Sequence, residues 1–338
     1  MEELKEMLFR LCEADGVSGD ESDAAAAAAK EFTPYAKAKT DRLGNLTACM
    51  GPENAKTRIL IDAHLDQIGL IVTGIDEDGF LRVDKCGGAD RRVMPGAPVL
   101  VMGRERVDGV IGSVPPHLAG EEKEKVPEPD KMAVDIGCSR KEAEKLVRPG
   151  DRVIFRAKPR TLLGTRVTAP ALDDRASVAA LIRCAQLLTG KALRCRAVFQ
   201  CSTREEVGGQ GAVTGTYLAD PQRAIAVDVS FAQQPGVEPE KCGKLGGGPM
   251  VGFAPILDRA MGERIVQLAE QAGMPYKRDV MGGQTGTNSD VLAVTRAGVR
   301  TGLVSIPLRY MHTPAEVVDL RDIENTARLL AAYLGEAE

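Results

Sequence analysis

Residues 175–202, RASVAALIRCAQLLTGKALRCRAVFQCS, place a run of small and apolar helix formers shortly before a short apolar segment. The first part predicts a helix over 175–188, and the second predicts a strand over 196–202. The same alternation continues towards the C-terminus, with strands predicted at 224–229 and 299–305 and helices at 256–272, 290–297 and 320–333. This alternation is typical of an α/β fold, in which helices sandwich a mainly parallel sheet.

The sequence before this region has a different pattern of predicted elements. Leu4, Met7, Leu8 and Leu11 have helical spacing, and the segments 43–50 and 58–63 are predicted to be a hairpin or a neighbouring pair of strands. Residues 67–163 consist of short strands broken by glycine and proline, with one clear helix at 139–146. We therefore expect one discontinuous domain, 1–66 and 164–338, that carries a small β-barrel-like domain inserted at 67–163.

The composition excludes several classes of partner. The 338 residues carry 44 Lys and Arg against 48 Asp and Glu, a net charge of −4, which argues against a nucleic-acid footprint or an anionic membrane surface. The N-terminus lacks the pattern of a signal peptide, and no apolar stretch is long enough to span a membrane. Residues 121–125 form a short charge run that predicts an exposed loop.

The cysteines and aromatic residues further limit the cellular compartment and the kinds of ligand. Eight cysteines occur without any Cys-x-x-Cys pair, as expected for reduced core residues of a cytoplasmic protein. The chain has no Trp and 4% aromatic residues, which disfavours a stacking platform for sugars or bases.

Only three histidines are available for chemistry: His64, His117 and His312. The apolar segment 59–63 leads into His64, and Asp66 follows two residues later on the same face. The carboxyl ends of strands are where ligands bind in open α/β sheets. Taken alone, this His-x-Asp pattern fits a hydrogen-bonded structural histidine equally well.

Acidic residues recur at the same kind of position. Asp173 and Asp174 precede a helix that needs only one of them as a cap, and Glu205 and Glu206 follow the strand 196–202. Asp228 lies inside an apolar strand, where an unpaired carboxylate is unfavourable. Each feature alone fits a cap, a solvated loop or a buried ion pair.

Taken together, these residues predict a metal site. Two imidazoles, from His64 and from His312 in the loop after the last strand, combine with several carboxylates and no thiolate. This is the ligand set for a pair of ions such as Zn²⁺ or Co²⁺. Two such ions need a bridging carboxylate, and they generate a hydroxide nucleophile for hydrolysis at neutral pH.

The order of these motifs resembles one known family. The chain contains, in sequence, His-x-Asp, Leu-Asp-Asp-Arg, Glu-Glu-Val-Gly-x-x-Gly, Val-Asp and His-Thr-Pro-x-Glu. It also contains Gly-Val-Ser-Gly near the start and Val-Ile-Gly-Ser-x-Pro-Pro-His-Leu in the insert. This pattern is similar to the dinuclear tetrahedral aminopeptidases of metallopeptidase family 42, also known as glutamyl or deblocking aminopeptidases or "cellulase M". The resemblance implies a zinc-peptidase-like fold.

The resemblance also implies a ligand set of two divalent ions, Zn²⁺ or Co²⁺. His64, Asp173 and Asp228 would hold one ion. Asp173, Glu206 and His312 would hold the other, so that Asp173 bridges the two.

Further roles follow from the same resemblance. Glu205 would be the general base, and Asp66 would orient the imidazole of His64. Asp174 would be a helix cap or lie behind the ligands. His117, in the insert, is interpreted as structural.

The implied activity is removal of N-terminal residues from short peptides through a metal-bridging water or hydroxide. Hydrolysis of N-acyl amino acids by the same two-metal chemistry is the main alternative. A glycosidase is suggested only by the "cellulase" name and the paired acids, and a non-catalytic scaffold would require the base to be missing. The resemblance further implies a homo-oligomer, a tetrahedral dodecamer built from dimers, for which the insert would supply contacts.

Overall fold

The structure is a computed structural model that describes residues 1–115, 117–118 and 126–337. The charge run at 121–125 lies outside the described residues. The helices of the described part are α1 Glu2–Glu13, α2 Ser22–Phe32, α3 Arg140–Leu146, α4 Leu172–Leu188, α5 Gln210–Ala219, α6 Arg259–Gln271, α7 Ser289–Leu292 and α8 Leu320–Glu336.

The strands form two sheets and a barrel. They are β1 Ala38–Thr40, β2 Leu46–Met50, β3 Arg58–His64, β4 Gly69–Ile75, β5 Leu81–Cys86, β6 Pro98–Met102, β7 Arg106–Ile111, β8 Ala133–Asp135, β9 Arg152–Phe155, β10 Arg160–Thr161, β11 Arg166–Ala169, β12 Arg196–Ser202, β13 Arg223–Phe231, β14 Met250–Phe253, β15 Lys277–Val280, β16 Arg300–Leu308 and β17 Glu316–Asp319.

The large sheet has the strand order β1-β2-β12-β3-β13-β16-β14-β15. Its four central strands, β12, β3, β13 and β16, run parallel to one another, and the strands on either side of them, β2 and β14, run antiparallel to them. Helices α4, α6 and α8 pack on one face, while α5 and α7 pack on the other. The predicted α/β class, with a mainly parallel sheet between helices, is confirmed.

Alternation along the central strands explains this arrangement. Ile59 and Ile61 of β3 join the larger core under α4, whereas Leu60, between them, joins the smaller core under α5 and α7. Because successive side chains point to opposite faces, a strand buried on both faces reads as a continuous apolar run. The segment 59–63 therefore lacks the polar alternation of a surface strand.

The small barrel is closed in the order β4-β5-β8-β7-β6-β9 and has its own core, with Leu70, Leu81 and Val101 almost completely buried. A separate three-stranded sheet, β10-β11-β17, follows it. The barrel-like insert is thus present in the fold. The division into domains at 66/67 and 163/164 stays a prediction.

Two of the element predictions are wrong. The segments 43–50 and 58–63 are not neighbours in the sheet, because β12 lies between β2 and β3. The first of them also starts late, at Leu46, since Asp41 accepts hydrogen bonds from the backbone N–H groups of Leu43 and Asn45 in a turn.

The helix predicted over 290–297 is also wrong in extent. Its regular part is the short α7, and Arg296 adopts a φ of 56°, which no right-handed helix allows. Helix α5 and the strands β14, β15 and β17 were not predicted. Within the described part of the chain, none of the helices has both the length and the apolar character needed to cross a membrane.

Candidate metal centre

The carboxyl ends of the parallel central strands meet at one edge of the large sheet. His64 is the last residue of β3, and it pairs with Ser202, the last residue of β12. In the register between β3 and β13, Ala226 lies opposite Asp62, so that Asp228 comes level with His64. Titratable side chains that are far apart in the sequence therefore lie close together at this edge.

Asp173 lies between the two histidines that the sequence singled out. Its Oδ1 atom is 3.1 Å from Nε2 of His64, and its Oδ2 atom is 3.3 Å from Nε2 of His312. The backbone of Asp173 departs from helical geometry, with φ −79° and ψ 100°, although it lies at the start of α4. One carboxylate oxygen beside each histidine is the arrangement expected of a bridging ligand.

The described residues contain two groups of side chains that could each hold an ion, and they share Asp173. His64, Asp173 and Asp228 form the first group, and Asp173, Glu206 and His312 form the second. Within each group the ligand atoms lie within 4.8 Å of one another. The structure therefore brings together all five residues predicted as ligands, and their role as ligands stays a prediction.

The charges at this edge favour a bound cation. Burial, and then the nearby Asp174, raise the pKa of Asp228 well above its usual range. Burial also disfavours the Asp173 carboxylate, yet hydrogen bonds with His312 and His64 outweigh it and hold the pKa of Asp173 below its usual range. Buried carboxylates in such proximity repel one another unless positive charge lies between them.

The pKa values of the two histidines also indicate a site that favours positive charge. Burial opposes protonation of both rings, but hydrogen bonds with neighbouring carboxylates outweigh it. The pKa of His64 is raised well above its usual value, chiefly by Asp173 and then Asp66. The pKa of His312 is raised to about 11 by Asp173 and Glu206. Imidazole nitrogens facing carboxylate oxygens, without thiolates, are a donor set that fits divalent ions such as Zn²⁺.

Asp174 supports His64 from behind. Its Oδ2 atom accepts a hydrogen bond from the backbone N–H of His64 at 3.1 Å, while its Oδ1 atom is buried without a hydrogen-bond partner. Asp173 and Asp174 both have non-helical backbone angles, so the regular part of α4 begins at Arg175 and Asp174 directly precedes it. Both roles expected for Asp174, a helix cap and a position behind the ligands, stay predictions.

Glu205 lines the same cavity but belongs to neither group of candidate ligands. Burial raises the pKa of Glu205 to about 7, against the opposing effect of His64. Glu205 and Glu206 lie in a turn rather than in an extension of the strand that precedes them.

Asp66 makes more contacts than the sequence indicated. Nδ1 of His64 lies 2.9 Å from the backbone carbonyl oxygen of Asp66 and 3.5 Å from its Oδ1 atom. The carboxylate itself accepts hydrogen bonds from the backbone N–H groups of Glu205 and Glu206, at 2.9 Å and 3.1 Å. Asp66 therefore holds both the imidazole and the turn that carries the two glutamates.

Glu316 is a functional candidate that the sequence reasoning missed. Its buried carboxylate accepts hydrogen bonds from the backbone N–H groups of Asp173, at 3.1 Å, and His312, at 2.9 Å. The spacing His-Thr-Pro-x-Glu carried this information, because four residues of a loop suffice to return a carboxylate to its own histidine. His117 lies exposed and belongs to neither candidate group.

The candidate ligands line a cavity of about 500 Å³. Apolar side chains, including Phe231, Met281 and Met311, form part of its wall, and Asp279 adds a further carboxylate. None of the described residues that line the cavity is Lys or Arg. The lining of the cavity therefore combines an apolar wall with carboxylates and imidazoles.

Comparisons with known proteins identify relatives over most of the chain. The family model described as M42 glutamyl aminopeptidase matches residues 44–329. The lysyl aminopeptidase of Pyrococcus furiosus is 33% identical over 341 residues, which cover 98% of this chain and 96% of that protein.

Solved structures give the same result. Aminopeptidase APDkam598 from the archaeon Desulfurococcus kamchatkensis is 34% identical, with a TM-score of 0.92 over 99% of this chain and 95% of that one. The Pyrococcus horikoshii TET1 peptidase, which can assemble into a tetrahedron or a large octahedral shell, is 33% identical, with a TM-score of 0.88 over 99% of this chain and 100% of that one. Since the family model spans most of the sequence and these relatives align over nearly all of it, the chain belongs to the M42 glutamyl aminopeptidase family.

Proposed function

We propose that this protein removes N-terminal residues from short peptides with the help of two divalent ions, Zn²⁺ or Co²⁺. The observation that carries the proposal is the position of Asp173, which contributes one oxygen towards each histidine and belongs to both groups of candidate ligands. His64 and Asp228 complete the first site, and Glu206 and His312 complete the second. Bound divalent ions polarise the scissile carbonyl and lower the pKa of water at such a site.

Glu205 is the proposed general base and acid. It lies in the cavity outside both ligand groups, so its carboxylate is free to take a proton from the attacking water and pass it to the leaving amine. Burial raises the pKa of Glu205 to about 7, which suits a group that must both accept and release a proton near neutral pH.

The charge of the cavity favours a free peptide N-terminus. With both ions bound, Glu205 and Asp279 would remain as lining carboxylates outside the two ligand groups, and none of the described lining residues is a Lys or Arg that would repel a substrate ammonium. An N-acyl amino acid offers a carboxylate in place of the ammonium, and Glu205 and Asp279 would repel that group. This contrast favours the aminopeptidase over the N-acyl amino acid hydrolase. Membership in an aminopeptidase family rules against the glycosidase and the scaffold.

We further propose that the protein is a cytoplasmic homo-oligomer, a tetrahedral dodecamer built from dimers in which the barrel supplies contacts. The assembly of the Pyrococcus horikoshii TET1 peptidase supports this proposal, because the two chains match over almost their whole lengths. All eight cysteines are free, which is typical of a reducing compartment.

A single assay tests the proposed activity. The purified protein is loaded with Zn²⁺, Co²⁺ or Mn²⁺ and incubated with unblocked peptides and with the same peptides acetylated at the N-terminus. We expect release of single amino acids from the unblocked set only. Hydrolysis confined to acetylated amino acids, or no hydrolysis with any metal, would contradict the proposal.

A further inference from the structure

The turn that carries the two active-site glutamates is held by its backbone. The N–H groups of Glu205 and Glu206 donate to the two carboxylate oxygens of Asp66. The N–H group of Arg204, one residue earlier, donates to Oε1 of Glu21 at 3.2 Å. Three consecutive backbone N–H groups thus donate hydrogen bonds to two buried carboxylates.

Glu21 lies far from this turn in the sequence. It immediately precedes α2 in the N-cap position, yet its side chain makes no capping hydrogen bond to that helix. The carboxylate is turned inwards instead, is 6% exposed, and its Oε1 atom also accepts from the backbone N–H of Gly19 at 2.6 Å. A buried carboxylate is unfavourable unless hydrogen bonds satisfy it, and here one of those bonds comes from the active-site turn.

The motif Gly-Val-Ser-Gly at residues 16–19 supplies a second contact from the same segment. Ser18 is buried, and its hydroxyl donates to Oδ2 of Asp66 at 2.6 Å. Gly19 has a φ of 85°, and a Cβ at this position would lie 2.8 Å from the guanidinium of Arg152 in the barrel. The segment 16–21 is therefore fixed in shape, and it reaches both carboxylates that hold the turn.

Arg204 is the residue whose backbone most needs this support. It has a φ of 60°, in the left-handed region that non-glycine residues rarely adopt. Such a conformation persists only where its surroundings enforce it. Because Arg204 directly precedes Glu205, its backbone angles set the direction in which the Glu205 side chain leaves the chain.

We propose that Glu21 is a positioning residue for Glu205. It holds Arg204 in its left-handed conformation and thereby directs the general base into the cavity. This inference rests on the proposed function, in which Glu205 transfers the proton. Glu21 touches neither the substrate nor the candidate ligands, so its loss should affect turnover much more than substrate or metal binding.

The first test compares Glu21→Ala with Glu21→Gln, which keeps an oxygen acceptor at the same place. Asp20→Ala, an exposed neighbour in the same segment, is the matched control. We expect Glu21→Ala to lower kcat for lysine and leucine p-nitroanilides by about 10-fold or more, since misplacing a catalytic group by about 1 Å can reduce the rate about 100-fold. KM and Zn²⁺ content should stay within about twofold, and Glu21→Gln and Asp20→Ala should retain most of the activity. A kcat of Glu21→Ala equal to that of the wild type would overturn the inference.

The second test asks whether Glu21 acts through Glu205. In a Glu205→Gln background, Glu21→Ala should lower the residual kcat no further, because the group that it positions is already gone. An equal fold-loss in both backgrounds would show a merely structural role and overturn the inference. If Glu21→Ala does not fold, Glu21→Asp replaces it, since this variant keeps the charge but withdraws the oxygen from Arg204 by one methylene. An inactive wild type would instead overturn the proposed function itself.

Discussion

At the scale of single residues, two neighbouring acids have different proposed roles. Glu206 lies 3.4 Å from Nε2 of His312 and shares a candidate ion site with it, whereas Glu205 faces the cavity outside both sites. The sequence places the two glutamates side by side and cannot by itself separate a ligand from a base. The turn geometry, which puts only Glu206 in a candidate ion group, supports the proposed separation.

This separation predicts different losses in the two isosteric variants. Glu205→Gln should retain both ions but lose about 100-fold or more in kcat, as expected on removal of a general base. Glu206→Gln should bind one ion more weakly and regain activity as the metal concentration rises. Metal content by mass spectrometry, together with kcat at saturating metal, tests both statements. Near-normal turnover of Glu205→Gln would show that Glu205 is not the base.

The position of Asp279 in the cavity predicts which N-terminal side chain of the substrate is preferred. Its Oδ2 atom accepts a hydrogen bond from Ser230, at 3.2 Å, and Ser230 follows Asp228 by two residues on the same face of β13. That spacing is about 7 Å, close to the reach of a lysine side chain from a substrate held at the candidate ions. We expect lysine substrates to be hydrolysed faster than glutamate substrates, and Asp279→Asn to reduce the ratio of their kcat/KM values about tenfold, since one unit charge is worth about 1 kcal/mol or more at contact distance. An unchanged ratio would exclude this role.

At the scale of secondary structure, sequence patterns succeed where an element carries its own signal. The strand Arg196–Ser202 has the bounds that its apolar run predicts. Helix α5 gave no such signal, because QGAVTGTYLA contains two glycines and two threonines, and it is stabilised by packing on β12 and β3. Strands β14 and β15 have four residues each and depend on their neighbours in the sheet.

The same distinction applies to the candidate site. Four of the five predicted ligands could be grouped from the sequence because they follow or occupy parallel strands of one sheet, whose carboxyl ends share an edge. The fifth, Asp173, follows β11 of the small sheet, and the start of α4 brings it to the same edge. The contact between Glu21 and Arg204 could not be predicted from the sequence. It joins residues 183 positions apart through a backbone N–H group, which every residue other than proline has.

The first turn of α8 predicts a pH effect on stability. Asp322 is fully buried and accepts hydrogen bonds from the backbone N–H groups of Gly246 and Gly248, at 2.7 Å and 2.8 Å. Burial raises the pKa of Asp322 from 3.8 to about 7. Between pH values of about 4 and 7, the folded protein therefore keeps a proton that the unfolded chain has released. The contribution of Asp322 to stability is fully present below this window and is lost as the pH rises through it.

The comparison with Asp322→Asn, which cannot ionise, isolates this effect. We expect the Tm of the wild type to fall relative to that of the variant as the pH is raised from 5 to 8, by the equivalent of a few kcal/mol at most, since one pKa unit corresponds to about 1.4 kcal/mol. Thermal unfolding of both proteins at matched metal concentration measures the difference. Parallel pH dependence of the two Tm values would mean that Asp322 does not titrate in this range.

At the scale of the whole molecule, the barrel and the candidate metal centre are in direct contact. The carbonyl oxygen of Gly88, in the loop after β5, lies 3.1 Å from Nδ1 of His312, and the backbone N–H of Asp90 donates to the carbonyl of His312 at 3.1 Å. A ligand of the second proposed ion is therefore oriented by the inserted barrel. Loss of that ion should loosen the loop of the barrel, which is the unit proposed to supply subunit contacts.

This coupling predicts that assembly depends on metal. Light scattering on the metal-loaded protein should give a mass about twelve times that of the 36.0 kDa chain, and prolonged chelation should release dimers. Re-addition of Zn²⁺ should restore the large particle. A mass near that of one chain at micromolar concentration in the presence of metal would contradict the proposed assembly but would leave the proposed peptidase activity standing.

Anomalous X-ray diffraction at the zinc edge, on crystals of the Zn²⁺-loaded protein, would show directly whether two ions share Asp173. We expect two peaks in each subunit, one beside His64 and Asp228 and the other beside Glu206 and His312, with Asp173 in contact with both. Fully loaded protein that shows no ion at His64 or at His312 would contradict this expectation.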